Sequence, residues 1–267
     1  MKTVSEIRNI SEFLNVHPLF TLEDLQHSFG VGEASDLIFY YKKKQRIGVV
    51  KEGLYFAVKP GSNPDTVAVD PYLLTSKLID DSILAFHTAL ELHGYAHSDF
   101  SSFYFFSRKQ SPARRFRGMH FQSVMVPQTL QKKSKTFFGT EKTERLGVKI
   151  TITGKERTLV EVLERPQLCG GFEEIYRSLE KIPFIQTEIV SEYLNAREQK
   201  NLFGRTGYFL EQHREQFHIE ESFLQMLGRN KPVQPLYWDR SKKGGILIKR
   251  WNLIVPEAVD KRKWEEA

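Results

Sequence analysis

The chain is poor in cysteine, poor in proline and without long apolar runs, and each shortage excludes something. One cysteine in 267 residues, Cys169, rules out an internal disulfide framework and a multi-cysteine zinc site. No apolar stretch approaches the ~20 residues of a membrane span, and Met1 to Glu6 carry no secretory pattern. The expectation is therefore a soluble protein of a reducing cytoplasm, with no membrane partner. No Gly-rich phosphate loop, dinucleotide fingerprint or HExxH motif occurs. Also missing is the carboxylate pair that follows Gly-Ser in nucleotidyltransferases. His87 and His93 are six residues apart and share no helix face, so with His97 they are expected to be buried or turn histidines rather than metal ligands. His97-Ser98-Asp99 has triad residue types, but a triad assembles in space and not along three consecutive residues. No enzyme activity, cofactor or metal is expected.

What is present is a core and an uneven charge. Hydrophobic residues make up 40% and aromatics 12%, enough for one large domain or two unequal ones. The net charge of +6 is distributed in blocks. Residues 37–60 carry 6 basic and 1 acidic side chains, and residues 101–150 carry 11 basic and 2 acidic. The segment between them, 61–100, has 1 basic against 6 acidic. Two basic blocks suit a polyanion, although solvated loop lysines would give the same count.

The first sixty residues are the most informative. Ile7, Ile10, Phe13 and Leu14 predict a helix over 4–15, ended by His17-Pro18. A second helix starts at Thr21, with Asp24 at capping-box spacing and Phe20 and Leu25 placed as a hydrophobic staple; Gly30 stops it. After a turn at Val31-Gly32, a third helix is predicted from about Glu33 to Gln45. Two strands, Ile47 to Val50 and Leu54 to Val58, follow around Lys51-Glu52-Gly53. This is the order of a winged helix-turn-helix, whose second motif helix enters the major groove. Lys42, Lys43, Lys44, Arg46 and Lys51 are the expected phosphate contacts. Ser35, Phe39 and Tyr40 are placed to touch base edges. Winged domains also dock proteins, and that alternative stays open.

Two prolines and a glycine among the polar residues of 59–70 mark a linker, set at 61–70, dividing a 1–60 DNA-binding domain from a 71–267 α+β domain. Ile83 to Gly94 reads as a buried helix. Strands are predicted at Phe103 to Phe106, Met119 to Val126, Val148 to Ile152, Ile246 to Lys249 and Asn252 to Val255. Helices are predicted near 155–163, 172–182 and 189–194, the first with capping-box spacing at Thr153 and Glu156. Strands and helices do not alternate regularly, so the fold class is α+β. Arg108, Arg114, Arg115, Arg117, Lys132, Lys133 and Lys135 form a candidate second basic surface, with Phe103 or Phe105 expected to be buried.

ILAFHTALELHGYA, ITITGKERTLVEVLERPQLCGGFEE, LFGRTGYFLEQH and GGILIKRWNLIVP, in that order behind a winged helix, resemble the AbiEi antitoxins of type IV, abortive-infection toxin–antitoxin pairs. The resemblance implies a bacterial, nucleoid-associated phage-defence antitoxin that represses its own operon by binding operator DNA. It also implies a C-terminal domain that counteracts a nucleotidyltransferase-like toxin without a stable complex. A winged-helix regulator whose C-terminal domain senses a ligand or partner is the alternative, and a nucleic-acid enzyme targeted by the winged helix is a third. Within the resembling string, Arg157 is expected to form a structural ion pair beside a capping Glu156; an antitoxin surface is the other reading.

Overall fold

The computed structural model describes residues 9–239 and 244–265. The first helix is α1 (Ile10–Val16); the part of the expected helix before residue 9 lies outside the described residues. Strand β1 (Leu19–Thr21) follows, then α2 (Leu22–Phe29) and α3 (Val31–Lys43), and then β2 (Ile47–Lys51) and β3 (Leu54–Ala57). The Thr21–Asp24 capping box is formed reciprocally, at 3.1 and 2.8 Å. The expected turn at Val31-Gly32 is absent because Gly30, at φ +92°, reverses the chain alone and α3 begins at once. The three strands pair antiparallel in the order β1-β3-β2. The N-terminal part is thus a winged helix, with its own core of Phe13, Leu14, Phe20, Leu25, Ala34 and Ile38.

The larger part is built on a six-stranded mixed sheet. It comprises α4 (Pro71–Lys77), β4 (Ile83–Leu84), α5 (His87–Leu92), β5 (Ser102–Ser107), β6 (Arg114–Phe116), β7 (Met119–Met125), α6 (Gln128–Lys132), β8 (Thr140–Arg145) and β9 (Val148–Thr153). The strand order is β6-β7-β5-β4-β9-β8, parallel at β5–β7 and β4–β9 and antiparallel elsewhere. The expected helix from Ile83 therefore begins as a central strand. Phe86, at φ +58°, breaks the chain before α5 starts. Four helices then cover one face: α7 (Lys155–Glu164), α8 (Phe172–Leu179), α9 (Thr187–Arg197) and α10 (Lys200–Gln212). A fifth, α11 (Glu221–Arg229), and a small sheet of β10 (Leu236–Tyr237), β12 (Leu253–Val255) and β11 (Ile246–Ile248) precede α12 (Glu257–Asp260).

Alternation along β5 shows how the sheet serves two cores. Phe103 and Phe105 pack with Phe121, Ile150 and Ile152, while Phe106 joins the helical core with Leu159, Tyr193 and Phe209. The first of these cores also contains Leu19, Leu54, Phe56 and Val58 of the winged helix. Polar ties reinforce that junction. Lys77 Nζ lies 3.0 Å from the capping carboxylate of Asp24, and Arg145 Nε donates to Asp70 at 2.8 Å. Arg117 donates to the carbonyls of Pro64 and Val67 and lies over the Phe56 ring. Segment 61–70, expected as a linker, alternates exposed residues with half-buried Pro64, Val67 and Val69 and is held against the sheet.

Packing also explains the resembling strings. A Cβ on Gly207 would lie 2.1 Å from the fully buried ring of Trp251, so LFGRTGYFLEQH and GGILIKRWNLIVP meet at a position only glycine fits. Arg157 is fully buried and donates to Glu161 at 2.7 Å and to the carbonyls of Thr136 and Phe138, which excludes an exposed Arg157 surface. The expected capping box at 153–156 is not formed. Gly154 occupies the N-cap, Thr153 Oγ1 meets Thr158 Oγ1 at 2.7 Å, and Glu156 accepts from the Gln186 amide.

Candidate nucleic-acid interface

Helix α3 turns Ala34 and Ile38 into the winged-helix core. Helical geometry then places Ser35, Phe39, Lys42, Lys43 and Lys44 outward, and all are exposed. Phe39 is 76% exposed and Tyr40 49%, a large aromatic surface that the fold itself does not use. Lys44 Nζ sits 4.4 Å from the Tyr40 ring centre. The neighbouring tyrosine raises the pKa of the Lys44 ammonium group above its ordinary value.

Two of the expected phosphate contacts have structural partners instead. Arg46 is half-buried, and its Nε donates to the Val58 carbonyl at 2.9 Å. Lys51, at the tip of the β2–β3 wing, donates from Nζ to the Leu78 carbonyl at 2.9 Å. The wing is thereby tied to the end of α4. What remains outward is the α3 group alone: Ser35, Phe39, Tyr40, Lys42, Lys43 and Lys44.

The second basic block behaves differently. Arg108 pairs with Asp81 at 3.1 Å, Lys135 with Glu192 at 2.8 Å and Lys133 with Glu198. Partial burial works against ionisation of Asp81, but hydrogen bonds from Ser107 and from the Arg108 amide and side chain hold its pKa below the usual carboxylate range. The structure does not gather the seven residues into one surface. Arg114, Arg115 and Arg117 belong to the β6–β7 hairpin, which packs Phe116 against Phe56 of the winged helix. Lys132 ends α6, which packs on α9, and Lys133 and Lys135 follow it. Of the seven, Arg115, Arg117 and Lys132 are exposed without an ion pair among the described residues, and Arg117 is held by backbone carbonyls instead.

The histidines lie where the sequence placed them, in the core and at turns. His87 is fully buried and stacks on Phe100 at 3.9 Å. Its Nε2 meets Glu174 Oε1 at 3.0 Å; its Nδ1 lies 3.1 Å from Glu91 Oε1, at an angle too bent for a hydrogen bond. Burial disfavours the imidazolium, but the flanking Glu91 and Glu174 carboxylates outweigh it and raise the pKa of His87 above the ordinary value. The Glu174 oxygen also accepts from the amides of His97 and Ser98, so the cluster staples the 94–100 turn to α8. His93 Nε2 donates to the Thr153 carbonyl, 2.8 Å away. Complete burial pushes the Cys169 thiol far above its ordinary pKa, so it is not a nucleophile at neutral pH. No group of three or more metal-ligating side chains occurs among the described residues, and no helix among them is long and apolar enough to cross a membrane.

Comparison with known proteins identifies the fold and no more. No protein-family model matches the chain, and no curated protein matches it. Among solved structures, the chain is similar to the crystal structure of the RV2827C protein from Mycobacterium tuberculosis. The two are 18% identical and superpose over 96% of this chain and 93% of that one, with a TM-score of 0.63. The winged helix and the α+β body thus occur together in another protein.

Proposed function

We propose that this chain is a non-enzymatic, DNA-binding autorepressor and the antitoxin of a type IV pair, acting against a nucleotidyltransferase-like toxin. The observation that carries the DNA part is α3. It is the second helix of a capped helix-turn-helix, and its outer face presents three lysines, a serine and two exposed aromatics. Lysines at the end of the helix neutralise phosphates on either side of the groove, while Ser35, Phe39 and Tyr40 face the base edges. Phe39 suits apolar contact with a thymine methyl group. The antitoxin part is supported by the four sequence strings in their order. Their packing roles make them a signature of this body rather than of a toxin-binding face.

Titration with duplex DNA from upstream of the gene tests the first part. Specific binding is expected, with Tyr40→Ala changing the preferred sequence. Binding no tighter than to scrambled DNA would overturn it. Co-expression with a nucleotidyltransferase encoded beside the gene tests the second, with growth rescue as the expected result. Continued toxicity in the presence of folded protein would overturn it.

A further inference from the structure

Where the winged helix meets the body, packing is incomplete. A cavity of about 300 Å³ opens between strands β1 and β3 on one side and the 67–70 segment, α4 and the β8–β9 tip on the other. Its walls are apolar: Leu19 and Phe56 from the winged helix, Val67 and Val69 from the connection, and Leu73 from α4. The cavity opens to solvent past the exposed Lys59 and Ala68, so a ligand can reach its apolar walls. It lies at the small end of the range for small-molecule sites, roughly 300–1,000 Å³, and such sites favour domain junctions.

The charges at the mouth indicate what kind of occupant. Asp70 lines the cavity, but its Oδ1 accepts from the Leu73 amide and its Oδ2 from Arg145 Nε, both at 2.8 Å, so its charge is already answered. Lys59 also lines the cavity, is exposed, and has no ion-pair partner among the described residues. The mouth is left with one uncompensated positive charge above an apolar interior.

We propose that this cavity binds a small amphipathic carboxylate, an aliphatic acid whose tail fills the space against Phe56 and whose carboxylate meets Lys59. A molecule held there touches the winged helix and the body together, so it stabilises their docking in proportion to its occupancy. This is independent of whether α3 binds DNA.

Calorimetric titration of the full chain with octanoate, and with 1-octanol as the uncharged analogue, provides the test. Saturable one-to-one binding of octanoate is expected, with an upward shift in melting temperature. Octanol and the Lys59→Gln variant should each bind more weakly by up to about fivefold, the size of an exposed ion pair. Ala57→Trp fills the cavity from β3 and Ala68→Trp from the connection; either, if folded, should abolish binding. Ala68 is exposed, so that variant keeps the test open should the β3 change disturb folding. No saturable octanoate binding, or binding unchanged in the folded tryptophan variants, would overturn the site. Equal affinity for octanol would overturn the carboxylate preference.

Discussion

Two stretches of this chain look alike as charge counts and differ as structure. In α3, Lys42, Lys43 and Lys44 point away from the protein, and the groups that could have paired with them lie elsewhere. In residues 101–150 the lysines and arginines are more numerous, yet Arg108, Lys133, Lys135 and Arg145 each meet a carboxylate from outside the block: Asp81, Glu198, Glu192 and Asp70. Arg117 is absorbed by two backbone carbonyls and two aromatic rings. A cation count along the sequence therefore overstates both blocks: Arg46 and Lys51 are tied off in the first, and these five in the second. A cation is available to a polyanion where the fold leaves it unpaired.

That contrast can be broken residue by residue. The largest effect is expected where a cation is buried. Arg157→Met leaves Glu161 charged in the core and should cost about 3–5 kcal/mol in urea unfolding. Arg117→Ala comes next. It frees the carbonyls of residues 64 and 67 and should cost about 1.5–3 kcal/mol, the worth of hydrogen bonds from a charged donor. An unchanged unfolding midpoint would return Arg117 to the outward class.

The His87 cluster gives a smaller effect that depends on pH. The folded-state pKa of His87 is raised, so its contribution is complete below the unfolded value of about 6.5 and fades as pH rises through the folded value. His87→Gln should flatten the fall in melting temperature as pH rises above about 6.5, where a raised histidine titrates. A wild-type profile already flat there would contradict the cluster's role. The smallest effect belongs to Lys133→Ala with Lys135→Ala, whose exposed pairs are worth about 0–1 kcal/mol each. A melting shift of several degrees would show that these pairs matter more than exposure allows.

How far the sequence disclosed this arrangement depends on whether the signal was local. The Thr21–Asp24 cap, the Gly30 stop and the β2–β3 hairpin were legible because each is set by residues within four positions of one another. Strand β4 was not. Ile83 and Leu84 sit in an apolar run that continues into α5, and a two-residue strand buried on both sides leaves no alternation to read. Strand β8 was hidden for the opposite reason: TEKTER is an edge strand guarded by charges. At the candidate interface, the outward residues of α3 follow from helical periodicity. The partners of Arg46, Lys51 and the second basic block come from 12 to 75 residues away, and no spacing rule reaches that far.

The salt dependence of binding to upstream duplex DNA tests the central claim most directly. It should be compared between the wild-type chain, Lys43→Ala with Lys44→Ala, and Lys133→Ala with Lys135→Ala. If the α3 lysines meet the phosphates and the carboxylate-paired lysines of the second block do not, the first variant should bind more weakly and lose about 1.8 from the magnitude of the log–log slope, two phosphates at roughly 0.9 each. The second variant should match wild type. A slope that falls for the Lys133/Lys135 variant and holds for the Lys43/Lys44 variant would contradict the account.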